Sequence, residues 1–223
     1  MEIKYSCQGH PLAYTRFGDP LPVDENGELR WHIANWGTDM ARFEQIGIIN
    51  NAFQWWNRYM PAFDFISTEK RQEAKWIIYW AKDDIITFPD GSKMDSPFSF
   101  TQNPGVLAVQ YASPNLVCVI NDDYDYSLNT PGPNVFDLLG VLKHEFGHGM
   151  GFGHSPNPDS IMGAIYKKGN GMTPDDIQGI LDVQGPLMMK FLRKPNMLMI
   201  GKLYGVPEPI EKSQNKGCLG LLL

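Results

Sequence analysis

Apolar positions along the chain follow two periods, and their alternation outlines the elements. Residues 29–36 (LRWHIANW) mix β-branched and aromatic residues with polar ones in rough alternation, the signature of a strand. Thr38 or Asp39 stands where a helix cap is needed next. Phe43, Ile46, Ile49, Ala52, Phe53 and Trp56 then recur at three and four residues, which predicts one long amphipathic helix ended by Pro61. Residues 74–81 (AKWIIYWA) predict a strand buried on both faces, and residues 83–104 are rich in turn formers. Two short strands are expected at residues 106–111 and 116–120, separated by a Ser-Pro-Asn turn, before a polar, loop-like stretch over residues 121–133. Residues 135–150 read as a helix with Asp137 in its first turn, where a negative charge suits the helix dipole. After Gly151 the pattern is irregular until Thr173-Pro174-Asp175-Asp176, a helix start. Ile177, Ile180, Leu181 and Gln184 continue that helix, and Gly185-Pro186 are expected to stop it. The order strand, helix, strands, helix, helix predicts an α+β fold.

Composition narrows the class. The chain of 223 residues has 43% apolar and 20% charged residues, ordinary for one globular domain. A formal net charge of −6 speaks against a nucleic-acid footprint, which needs a basic stripe. No apolar run is long enough for a membrane span, and residues 1–10 (MEIKYSCQGH) lack the apolar core of a secretory signal. Cys7, Cys118 and Cys218 are too few and too scattered for a disulfide framework or a cysteine zinc ribbon.

The chemistry concentrates in residues 144–154 (HEFGHGMGFGH), which hold three of the five histidines. His144 and His148 are four apart, so on a helix both rings project from one face and can chelate one zinc ion. Glu145 stands beside the first ligand, where it can act on a zinc-bound water as general base without binding the metal. A straight helix would carry His154 about 15 Å along the axis from His144. The helix must therefore break first, and Gly151 is placed for the left-handed turn that breaks it. Three neutral histidines leave a coordination position open, the arrangement of a catalytic rather than a structural zinc site. These residues predict a zinc hydrolase, against the plain alternative of an exposed helix with fortuitous histidines.

His144, Glu145, His148, Gly151 and His154 resemble the long zinc motif of the metzincins, and Met162 in Ser160-Ile161-Met162 stands where that family's Met-turn is expected. Within the metzincins the chain is most similar to the matrixins, the matrix-metalloproteinase-like catalytic domains, over roughly residues 29–186. The resemblance implies a zincin-like twisted, mixed five-stranded sheet with one antiparallel edge strand and three helices. It further implies a zinc-dependent endopeptidase acting on proteins or peptides. Substrate would pair with an edge strand at Leu107 and Ala108, Tyr166 would wall the S1′ pocket, and Met162 would floor the zinc site. By this reading residues 1–28 form an irregular arm, 29–186 the catalytic domain, and 187–223 a tail of unassigned role, with a strap across the domain as the plain reading. A monomer is expected, since nothing in the sequence calls for an oligomer, and the family would place it outside the cell.

The departures carry expectations of their own. Residues 74–134 contain no histidine, and Val109 stands where a ligand of the family's second, structural zinc would be, so one zinc ion is expected. Asn121, Asp122, Asp123 and Asp125 offer hard oxygen ligands for calcium, against the plain reading of a solvated acidic loop. Gly163-Ala164 replace the usual Tyr-Pro after the Met-turn. The surroundings of Cys7 faintly resemble the inhibitory cysteine of matrixin proforms, against the plain reading of a free thiol. A zinc hydrolase of another amide substrate and a non-catalytic binding module that retains the zinc site stay open as alternatives.

Overall fold

The computed structural model describes residues 20–112, 116–127, 135–165 and 167–191 of the chain. A five-stranded sheet runs in the order β2 (Asp64–Ser67), β1 (Glu28–Ile33), β3 (Trp76–Ala81), β7 (Leu116–Asn121), β6 (Ala108–Tyr111). β1 pairs in parallel with β2 and β3, and β3 with β7, whereas β6 runs antiparallel along one edge. Two small ribbons complete the strands: the hairpin β4 (Ile85–Thr87) with β5 (Lys93–Asp95), and the parallel pair β8 (Asp125–Ser127) with β9 (Val135–Asp137). The helices among the described residues are α1 (Arg42–Asn57), α2 (Leu138–Gly149), α3 (Pro174–Val183) and α4 (Gly185–Phe191), with one turn of 3₁₀ helix at Arg71–Glu73. The α+β architecture with a mixed sheet and one antiparallel edge is as the sequence implies.

An aromatic cluster welds the long helices to one face of the sheet. Phe53 of α1 stacks on Phe146 of α2 with ring centroids 4.1 Å apart, and meets Trp31, Phe65 and Trp76 of the sheet at 5.1–5.3 Å. Trp56 Nε1 donates to the Lys143 carbonyl at 2.9 Å, a second pin between α1 and α2. The opposite face of the sheet is covered by the segment between β3 and β6. There Ile86, Phe98, Phe100 and Val106 form a second core with Tyr79, Ala81, Val109 and Val119.

Some local expectations shift. α1 begins at Arg42, with Glu44 reaching back to the Ala41 N–H at 2.9 Å, and neither Thr38 nor Asp39 caps it. The residues before it are held instead by buried Gln45, which bonds the N–H and C=O of Gly37 and the Met40 carbonyl. The buried stripe of α1 is Gln45, Ile48, Ile49, Ala52, Phe53 and Trp56. Phe43 is 75% exposed and Ile46 42%, because 3.6 residues per turn carries Phe43 to the far side of the helix. Residues 135–137 form β9 rather than the first turn of α2. Asp137 is the N-cap of α2, its Oδ1 accepting the Leu139 N–H at 3.1 Å. Gly185-Pro186 do not stop the chain's helical course: they open α4, where proline is tolerated in the first turn. Phe191 of α4 packs on Phe63, so residues 187–191 lie on the domain, and the rest of the expected tail falls outside the described residues.

Gly149 shows how tightly α2 sits. A Cβ there would lie 2.5 Å from Cη2 of buried Trp76 and 3.0 Å from Cδ of Gln110. Gly149→Ala is expected to lower stability by about 1–3 kcal/mol through overpacking, despite alanine's better helix propensity. Urea unfolding of the two proteins checks this.

Candidate metal centre

α2 and the turn after it bring three histidines to one point. His144 and His148 share a face of the helix, and the chain leaves the helix at Gly151, whose φ of 92° is open to glycine at little cost. The N–H groups of Gly151 and Phe152 bond back to the carbonyls of His148 and Gly147, which closes the turn. It delivers His154 to the other two: the three candidate ligand atoms all lie within 4.8 Å of one another. Among the described residues this is the one such group of histidine, cysteine and acidic side chains.

The hydrogen bonds of the rings decide which nitrogens can take a metal. His144 Nδ1 lies 2.7 Å from the Ile161 carbonyl, and His148 Nδ1 lies 2.7 Å from the Phe152 carbonyl. A carbonyl only accepts, so both Nδ1 atoms carry the proton and both Nε2 atoms carry lone pairs. Those two Nε2 atoms are 3.0 Å apart. Two lone pairs at that distance repel, and a cation shared between them turns the repulsion into attraction. His154 Nε2 is buried and has no hydrogen-bond partner among the described residues. The donor set of three imidazoles suits zinc. Burial holds His144 well below the usual histidine range, reinforced by His148 and His154. Burial and His154 bring His148 to about 3, and burial lowers His154. All three rings are thus neutral, the form that binds a metal.

Glu145 is 1% exposed. Burial pushes its carboxyl well above the usual range, with the Gln110 N–H of β6 pulling the other way, and its Oε2 has no hydrogen-bond partner among the described residues. Met162 is fully buried, and its sulfur and methyl lie against Gly147, where a Cβ would collide with them. Its turn is held by Ser160 Oγ, which accepts the Met162 N–H at 2.8 Å and donates to Asp176 Oδ1 at 2.5 Å. Sequence reasoning missed Ser160 and Asp176, although Asp176 was visible as an acid in the first turn of α3.

The other expected residues divide. Ala108 opens edge strand β6, Leu107 immediately precedes it, and both are fully buried. The Leu107 carbonyl accepts from the Asn121 N–H at 2.9 Å and from Tyr126 Oη at 2.8 Å, so it is committed to the fold. Tyr166 and Cys7 fall outside the described residues. Asn121, Asp122 and Asp123 spend oxygens locally, on the N–H groups of Asp123, Thr38 and Asp83. Among the described residues, Asp122, Asp123 and Asp125 do not belong to the group of side chains close enough to share a metal ion.

Comparison with known proteins adds an independent line. A family model described as Matrixin matches residues 23–185. The chain is 29% identical to human matrix metalloproteinase-20 over 199 residues, covering 87% of this chain and 38% of that protein. It is 28% identical to rat stromelysin-1 over 174 residues, 74% of this chain and 34% of the relative. It is also 28% identical to rat matrilysin over 168 residues, 70% of this chain and 59% of the relative. The chain thus matches a part of each of these longer proteins.

The burial of Glu145 has a measurable cost in the metal-free protein. Its folded carboxyl holds a proton more tightly than the unfolded one, so its contribution is most favourable below about pH 4 and is lost as pH rises toward its raised folded value. Metal-free Glu145→Gln is therefore expected to be more stable than metal-free wild type at neutral pH. The gap should close as pH falls to about 4. Thermal unfolding across pH checks this.

Proposed function

The chain belongs to the matrixins, a family of zinc-dependent endopeptidases, and from that premise we propose that His144, His148 and His154 hold one catalytic zinc and that Glu145 is its general base. The observation that carries the metal assignment is the pair of Nε2 lone pairs 3.0 Å apart, with both tautomers set by backbone carbonyls. His154 supplies the third nitrogen, and a three-histidine set leaves a position for water and substrate.

When bound, zinc supplies Lewis acidity to the attacking water and to the scissile carbonyl. The protein supplies the proton transfers. Glu145, with Oε2 unpartnered among the described residues, takes the proton of the attacking water and passes it to the leaving amine. Its burial raises its proton affinity, which suits a group that must take a proton before passing it on.

The proposed substrate is an extended peptide segment that adds a strand to β6, whose outer edge is unpaired among the described strands. Since the Leu107 carbonyl is committed to Asn121 and Tyr126, pairing at Leu107 falls to its N–H. The family resemblance adds an apolar residue after the cut bond, with Tyr166 in the pocket wall, and places the work outside the cell. Cys7 is the proposed latency thiol.

The test is casein cleavage by the purified, zinc-loaded chain, with and without a chelator, beside Glu145→Ala and Cys7→Ser. Chelation is expected to abolish cleavage. Glu145→Ala is expected to lose at least about 100-fold in rate while retaining its zinc, as removal of a general base does. Cys7→Ser should cleave faster than wild type. Cleavage that survives in Glu145→Ala would overturn the role of Glu145. A zinc-loaded Cys7→Ser protein that cleaves nothing would favour the binding-module reading.

A further inference from the structure

Asp84 is an acidic residue on the far side of the sheet from the metal centre, and its carboxylate gathers four donors from one short stretch. Oδ1 accepts the N–H groups of Phe100 at 2.6 Å and Thr101 at 3.2 Å. Oδ2 accepts the hydroxyls of Ser99 at 2.6 Å and Thr101 at 2.5 Å. The Asp84 carbonyl takes the Ser96 N–H at 2.7 Å. Asp83 and Asp84 reach this position with φ of 50° and 61°, a left-handed conformation uncommon for residues other than glycine. They are the two central residues of the tight turn that Lys82 and Ile85 close with a pair of hydrogen bonds, which calls for this backbone.

The clamped stretch is the support of β6. Phe98 and Phe100 lie in the second core with Val109, on the face of β6 turned away from α2. At the far end of the strand, Tyr111 Oη donates to the Pro97 carbonyl at 3.0 Å. At its near end the stretch runs on through Asn103, whose side chain bonds the Ser99 carbonyl and whose carbonyl takes the Val106 N–H. β6 is thus met at both ends and from behind by the stretch 97–103, within which Asp84 holds Ser99, Phe100 and Thr101 and, just before it, Ser96. On its other side the Gln110 side chain lies against α2 at Gly149.

We propose that Asp84 is a positioning residue for substrate: by fixing residues 96–101 it sets the placement of the β6 edge on which the peptide is to pair. The inference rests on the proposed reading of β6 as the substrate edge. Asp84 touches no reacting atom, and its effect falls on binding of the extended peptide rather than on the chemical step.

The test compares the zinc-loaded wild-type chain with Asp84→Asn and Thr101→Val. Asparagine tolerates the left-handed backbone but presents an NH₂ where donors need an acceptor, whereas Thr101→Val removes one hydroxyl. In Asp84→Asn, amide hydrogen exchange in residues 106–111 should quicken about tenfold while α2 and the zinc content stay as in wild type. KM for a peptide spanning the length of β6 should rise about tenfold with kcat within about twofold. Thr101→Val should shift both readouts the same way and less. Faster exchange confined to residues 84–101, with β6 as slow as in wild type, would overturn the proposal. So would a fall in kcat at unchanged KM. If the wild-type chain cleaves no peptide, the peptidase reading fails on its own account, and the exchange of residues 106–111 still decides whether Asp84 holds β6.

Discussion

Two imidazole nitrogens that both carry lone pairs stand 3.0 Å apart in the middle of this protein, and much of the fold serves to keep them there. Left to themselves the rings would rotate, or one would take a proton and charge. Neither is allowed. The Ile161 and Phe152 carbonyls hold the Nδ1 protons, and burial disfavours the charged ring. Both carbonyls belong to the irregular stretch after the break at Gly151. One turn therefore does two jobs: it delivers His154, and it sets the tautomers of the two histidines on the helix.

Holding that turn requires a rigid helix before it and a rigid support under it. Phe146, between His144 and His148 in sequence, stacks on Phe53 and meets Trp76, so α2 cannot slide on the sheet. Glycine at 147 and 149 lets Met162 and Trp76 approach the helix more closely than a side chain would permit. Ser160 and Asp176 tie the Met162 turn to the start of α3, while Gln184 at the end of α3 donates to the Met150 carbonyl. The helix histidines, the turn and α3 form one hydrogen-bonded unit. Just before β6, Phe100, Gly105, Val106 and Leu107 are bonded by partners distant in sequence: Asp84, Tyr124, Asn121 and Tyr126.

What could be read from the sequence was whatever depends on short spacing. Histidines at i and i+4, a glycine to break the helix and a third histidine three residues later are local facts with one good geometric solution. The mixed sheet with its antiparallel edge came from resemblance to a family, and its pairing agrees. The misses have physical causes. Phe43 and Ile46 fit the helical period only over part of its length, and the surface α1 buries is chosen by what lies beneath it. Asp137 was seen as an acid in a first turn, but which residue caps depends on the strand ending beside it. Gly185-Pro186 reads equally as a stop or as the first turn of another helix. Asp84 was invisible because its donors lie 15 to 17 residues away, in a stretch with no period. The carbonyls of Ile161 and Phe152 were invisible because any residue carries one.

The central claim is that the three imidazoles hold one zinc ion through nitrogens whose tautomers the backbone has set. X-ray absorption at the zinc edge, on the full chain loaded with one equivalent of zinc, tests it most directly. The account predicts three nitrogen ligands at about 2.0–2.1 Å per ion, reduced to two in His154→Ala. A spectrum unchanged by that substitution, or one dominated by carboxylate oxygens in the wild-type chain, would contradict it.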